Sequence, residues 1–152
     1  MPQFVSNTEA KVDIKGRIFV PAIYRKSLES ENEGTLYLKI DTIRKCAKLY
    51  PKSAWDKLDT DLRSVLNLWD NEDMRLYRQF TSQVECIELD SVGRALIQRR
   101  HLDVLGIGTD AILIGAGNYF EIWSKEIYNK SLYDEYDFDE KIQKKMGNKQ
   151  TS

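Results

Sequence analysis

The 152-residue chain is nearly without histidine and cysteine: it has one histidine, His101, and two cysteines, Cys46 and Cys86. Three such ligands, far apart, cannot make a structural zinc site, which needs four at close spacing, and two cysteines do not make a disulfide scaffold. They read as two reduced core cysteines of a cytoplasmic protein. Long apolar runs are also missing, so no segment reads as a membrane span. The opening MPQFVSNTEA lacks the basic-then-apolar pattern of a secretory signal, and neither a membrane nor a secreted location is expected. No nucleophile–base pair, phosphate-binding glycine loop, metal cluster or cofactor fingerprint stands out, so an enzyme is not expected, nor any cofactor or metal. Charge of one sign is lacking as well. With 23 Lys+Arg against 24 Asp+Glu the formal net charge is −1, and global charge argues nothing for nucleic-acid binding.

What the chain has is a repeat. Val12 to Leu28 reads VDIKGRIFVPAIYRKSL and Leu89 to Leu105 reads LDSVGRALIQRRHLDVL. At a spacing of 77, Asp13 matches Asp90, Gly16 matches Gly93, Arg17 matches Arg94 and Leu28 matches Leu105. Apolar positions match too: Val12 with Leu89, Ile18 with Ala95, Val20 with Ile97. Each copy continues into two short runs of β-forming residues separated by a turn-like stretch. These are Thr35–Ile40 and Ala47–Tyr50 in the first copy, Ala111–Ile114 and Tyr119–Trp123 in the second. Tyr50 matches Trp123 at a spacing of 73, so the second copy is shorter by four. Each unit therefore reads as strand, D-x-x-G-R turn, strand, short helix, strand, turn, strand. The glycines permit positive φ in a tight connection, and the aspartate can accept backbone N–H bonds and aim the arginine.

The predicted domains are repeat 1 over residues 4–50, a helical linker over 51–82, repeat 2 over 83–128 and a partly disordered tail over 129–152. In the linker, Trp55, Leu58, Leu62 and Val65 recur at helical spacing after Pro51, and Met74, Tyr77 and Phe80 mark a second helix. Residues 131–140 carry five carboxylates and no base, and lysines follow. Neither unit is large enough to hide both faces of its sheet, so each is expected to complete the other's core.

The segments VDIKGRIFVPAIYR, LDSVGRALIQRRHLDVLGI and GAGNYFEIW resemble the MraZ family, whose chains carry two SpoVT-AbrB repeats. The resemblance implies an α+β, mainly β fold: a swapped-hairpin, AbrB-type pseudo-symmetric β-barrel with flanking helices. It also implies a ring-like homo-oligomer, nucleoid-associated in the cytoplasm. As a transcriptional regulator it would bind double-stranded DNA at direct repeats upstream of its own division and cell-wall operon, as a repressor. By position the family's DNA-contacting arginine falls on Arg17, with Lys15 in the same turn. Prolines common in second repeats of the family are replaced here by Gln98 and Arg99, which keeps the area basic.

From the residues alone, an arginine four places after an aspartate staples a turn as readily as it contacts a phosphate. Both roles stand for Arg17 and Arg94; the resemblance assigns DNA contact to Arg17. Arg25 and Arg99 are candidates to extend the patch, against the commoner reading of each as part of a solvated helix face, while Asp13, Gly16, Asp90 and Gly93 support the two turns. A near-neutral chain with so few basic contacts binds DNA weakly by itself, so repeated subunits on repeated boxes are expected to supply avidity. The alternative is an antitoxin-like or scaffolding oligomer that binds proteins, with which the tyrosine and tryptophan of the linker and tail are compatible.

Overall fold

Both D-x-x-G-R segments fold as turns between short strands, and the two halves of the chain are built into each other around them. The computed structural model describes the backbone of residues 1–151 and the side chains of residues 1–148. The side chain of Lys149 and the last residue of the predicted tail lie outside the described residues. In chain order the elements are β1 (Asn7–Lys11), β2 (Arg17–Phe19), α1 (Ala22–Ser30), β3 (Thr35–Asp41), β4 (Cys46–Pro51), α2 (Lys52–Val65), α3 (Asn71–Ser82), β5 (Glu85–Glu88), β6 (Arg94–Leu96), α4 (Arg99–Leu105), β7 (Asp110–Gly115), β8 (Phe120–Ser124), α5 (Lys125–Ser131) and α6 (Glu135–Thr151).

Six strands form an antiparallel sheet in the order β1-β7-β8-β4-β3-β5, and β2 pairs with β6 in a separate two-stranded ribbon. From either end, the sheet order lists a first strand, a third and a fourth, with a pseudo-twofold axis between β4 and β8. The opening strand of each half has crossed to the other. β1 pairs with β7 (Asn7 opposite Ile114) and β5 pairs with β3 (Glu88 opposite Thr35). The six-stranded sheet is open in its hydrogen bonding, with β1 and β5 at the edges.

Alternation explains the ribbon. Ile18 and Val20, and Ala95 and Ile97, point inward and are buried, leaving Arg17, Phe19, Arg94 and Leu96 on the other face. Pro21 ends β2 and N-caps α1, its carbonyl accepting from Tyr24 and Arg25; α4 stops at Gly106, which takes φ +70°. One core holds residues from both halves, including Tyr24, Leu28, Leu36 and Leu49 with Leu102, Leu105, Leu113 and Phe120. Phe4 and Tyr24 pack edgewise and tilted on Phe120, with centroids 5.1–5.3 Å apart. Burying an aromatic side chain of this size contributes about 1.5–3 kcal/mol.

The linker forms the two expected helices. Trp55 stacks between Tyr37 and Phe80, with interplanar angles of 8° and 7°, and Tyr77 donates to Asp59 at 2.6 Å. The two helices are separate: α2 ends at Val65, and Asp70 caps α3 by accepting from Asp73 N at 3.0 Å. Pro51 and Ser124, at the 73-residue spacing, are the N-caps of α2 and α5. The tail continues through Gly147 as α6, exposed along its described length except at Gly147.

Candidate nucleic-acid interface

The two turns match bond for bond. Asp13 N donates to the Arg17 carbonyl at 3.0 Å, and Gly16 N to the Asp13 carbonyl at 3.0 Å; the equivalents from Asp90 N and Gly93 N measure 2.9 and 3.0 Å. Asp13 Oδ1 accepts from the backbone of Lys15 (3.0 Å) and Arg17 (2.8 Å), while Asp90 Oδ1 accepts from Val92 (3.1 Å) and Arg94 (2.8 Å). In both turns the second carboxylate oxygen takes the arginine Nε at 2.7 Å. The backbone N–H of the arginine is the main cause holding each aspartate below the ordinary carboxylate range; the guanidinium adds to it. Gly16 and Gly93 have φ of +90° and +88°. Their carbonyls accept from Ile97 (2.9 Å) and Val20 (3.0 Å), so each turn is tied to the strand end of the other half.

Arg17 lies opposite Leu96 and Phe19 opposite Arg94. The two arginines are thus diagonal neighbours on one face, a spacing of roughly 7–8 Å. Their side chains are 33% and 26% exposed, so neither guanidinium is sealed in the interior. Each uses Nε on its aspartate, and the terminal Nη groups make no hydrogen bond among the described residues. They line a shallow cleft with Lys11, Asp13 and Phe19. The exposed apolar neighbours on this face are Phe19 and Leu96, 55% and 54% accessible. Neither was singled out as a site residue from sequence, although strict alternation with Ile18 and Ala95 carried the signal.

The other expected residues are distributed unevenly. Lys15 is exposed at the first turn and makes no ion pair among the described residues. Arg25 is half-buried against the second turn: its Nε donates to the Val20 carbonyl at 3.1 Å, and a Cβ on Gly93 would lie 2.5 Å from its Cδ. Leu102 stands in the equivalent place beside Gly16. Each turn therefore has two bases in its neighbourhood, Lys15 with Arg17 and Arg25 with Arg94, a balance the linear sequence does not display. Arg99 is exposed at the start of α4, away from the cleft lining. Its neighbours Arg100 and His101 both meet Glu85 Oε1 at 2.8 Å.

An antiparallel two-stranded ribbon with outward arginines is a shape that enters a DNA major groove, where guanidinium groups read base edges. Fold and site together define a chain of two interlocked strand–turn–strand repeats carrying paired Asp–Arg turns. The family model described as "MraZ protein, putative antitoxin-like" matches residues 4–78 and 80–149, and the chain belongs to this family. Among its relatives is a protein of Phocaeicola vulgatus named transcriptional regulator MraZ, 41% identical over 145 residues, 95% of this chain and 94% of the relative. A Bacteroides fragilis protein of the same name is 43% identical over 126 residues, 83% of this chain and 80% of its own. One from Flavobacterium psychrophilum is 33% identical over 149 residues, 97% and 94% of the two chains.

Proposed function

We propose that this chain is a sequence-specific DNA-binding transcriptional regulator. In this reading it binds direct repeats upstream of its own division and cell-wall operon and represses it, working in the cytoplasm at the nucleoid. The observation that carries the reading is the ribbon: two identically built turns aim Arg17 and Arg94 to one face, and their Nη groups, which make no hydrogen bond among the described residues, are available to phosphates and base edges. The names of the relatives support the same conclusion. Lys15 and Arg25 add a positive charge beside each turn, and Arg99 reaches flanking phosphate.

With a net charge of −1 and a handful of bases, one chain gains little from counterion release. A ring-like homo-oligomer that repeats the ribbon at fixed intervals supplies the avidity, which is why the operator would consist of repeated boxes. We read the sheet and ribbon, which share one core, as a swapped-hairpin barrel. It is divided into repeats at 4–50 and 83–128, a linker at 51–82 and a tail at 129–152.

The test is footprinting on DNA upstream of its own gene, with titration of labelled duplexes carrying one box or several. Wild-type protein is expected to protect periodic boxes and to bind several far better than one. Arg17→Ala is expected to abolish specific binding and leave the assembly intact by sedimentation. Unchanged affinity in that variant would sink the assignment. Capture of a protein partner with no protected DNA would instead favour the antitoxin-like reading that the family description names.

A further inference from the structure

The segment entering α6, and α6 itself, carry an apolar stripe that nothing among the described residues covers. Every residue from 131 to 146 is exposed. Phe138, Ile142 and Met146 recur every fourth position and share one helix face. Around Phe138 stand Asp134, Glu135, Asp137, Asp139 and Glu140, with no base before Lys141. The position of α6 after β8 and α5 corresponds to that of α3 after β4 and α2. Yet α3 folds back so that Phe80 stacks on Trp55, and the aromatic residues of α6 stack on no aromatic residue of the body.

A groove of opposite character lies between the β3–β4 hairpin and the linker helices, lined by Lys39, Asp41, Ile43, Lys48, Leu58 and Phe80. Lys39 and Lys48 are directly opposite on adjacent strands, an arrangement of like charges that repels. Among the described residues one carboxylate forms ion pairs in the cluster: Asp41 takes Arg44 at 3.2 Å and Lys48 at 3.6 Å. Glu121, opposite Lys48 on the other side, is engaged by Trp123 Nε1 at 3.0 Å and by the Cys46 thiol. Lys39 makes no ion pair among the described residues; its ammonium lies 4.5 Å from the Phe80 ring centre. Burial, and then Lys48, hold its pKa below the ordinary lysine value, and a carboxylate delivered there would oppose that shift by favouring the charged ammonium. Ile43, 87% exposed, supplies an apolar rim.

We propose that the acidic, aromatic start of α6 in one copy docks in the Lys39–Lys48 groove of a neighbouring copy. The inference rests on the oligomeric reading above and names the surfaces that join its subunits. Carboxylates of residues 134–140 neutralise Lys39, and Phe138 packs towards Phe80 and Ile43. Tail and groove are different surfaces present on every copy, so the contact is head-to-tail, and repetition of it generates a ring when the rotation closes.

Carbodiimide coupling tests this on the full chain. An equal mixture of isotopically light and heavy protein is equilibrated, coupled and digested. The expected result is Lys39 joined to a carboxylate of 134–140 in conjugates that pair light with heavy peptides. Conjugates of one isotope only, meaning that the tail folds back on its own chain, would overturn the proposal, as would no coupling at Lys39. Lys39→Glu, and separately Asp137→Lys with Glu140→Lys, are expected to weaken association about tenfold or more by sedimentation. Combining them reverses both charges and restores assembly. Unchanged association in both charge variants also overturns it. Wild-type protein that assembles without these couplings defeats the docking alone. A wild-type monomer at all concentrations defeats the oligomeric reading with it.

Discussion

Arg94 stands across the β2–β6 ribbon from Phe19, its guanidinium carbon 5.7 Å from the centre of the ring. The residues come from different halves of the chain. The ring supports the guanidinium from one side and Asp90 holds its Nε from another, so the direction of Arg94 depends on both repeats. Such a contact at a partly exposed site contributes about 0.5–1 kcal/mol.

Removing this support is expected to reach DNA binding through Arg94. Phe19→Ala should weaken operator binding modestly and leave its salt dependence nearly unchanged. Arg94→Ala should weaken binding and lower the slope of log affinity against log salt by about 0.9, the loss of one phosphate contact. Fluorescence anisotropy across a salt series distinguishes the two. An unchanged slope in Arg94→Ala would exclude Arg94 from the phosphate contacts.

The two turn glycines differ in tolerance despite matching φ. A methyl group at Gly16 would overlap the Ile97 carbonyl, which is backbone and cannot move aside; at Gly93 its nearest neighbours would be atoms of the flexible Arg25 side chain. Gly16→Ala is therefore expected to cost more than Gly93→Ala, which carries mainly the positive-φ strain of about 1–2 kcal/mol. Gly34→Ala, with open space around the site, should cost the least. Urea denaturation of the three variants checks the order.

Both turn carboxylates are held below their ordinary range in the folded chain. The sign follows: the stability they contribute is complete above the unfolded value near ~4 and is lost as pH falls through the lowered folded values. Asp13→Asn with Asp90→Asn is expected to be less stable than wild type at neutral pH and to lose less stability on acidification. Urea midpoints measured from pH 7 down into the carboxylate range test this. Parallel curves for the two proteins would contradict it.

The two thiols are expected to separate cleanly. Burial, with Glu121 beside it, pushes Cys46 up to about 12, whereas Cys86, expected in the core from sequence, is exposed on β5. At pH 8 a thiol reagent should label Cys86 rapidly in native protein and reach Cys46 only after denaturant is added. Two fast thiols in the native protein would show that β4 opens readily.

Local signals in the sequence carried a good part of this structure. The D-x-x-G-R spacing exposed the turns, because a positive-φ glycine and an aspartate two to four residues from its N–H donors are local requirements. The helices of the linker were legible in the recurrence of Trp55, Leu58 and Leu62, and of Met74, Tyr77 and Phe80, since one helix face must be apolar to pack. Arg25 was legible only as a basic residue on a short helix. Its placement against Gly93, 68 positions further along, depends on how the halves interlock, which no local pattern encodes. Phe19 and Leu96 were passed over for a related reason. Alternation puts them outward, but their standing beside both arginines depends on the pairing of β2 with β6.

The sequence by itself determined that the chain is duplicated, where its two Asp–Arg turns lie and which residues of each short strand face inward, because short-range sterics and hydrogen bonds dictate these. Tertiary structure alone decided that each repeat gives its opening strand to the other, so that Arg17 and Arg94 meet on one ribbon, Arg25 crosses to the second turn and Lys39 makes no ion pair among the described residues. Those outcomes follow from closing a core that neither half can fill, a requirement imposed by the surface area of the whole chain and not by any single stretch of it.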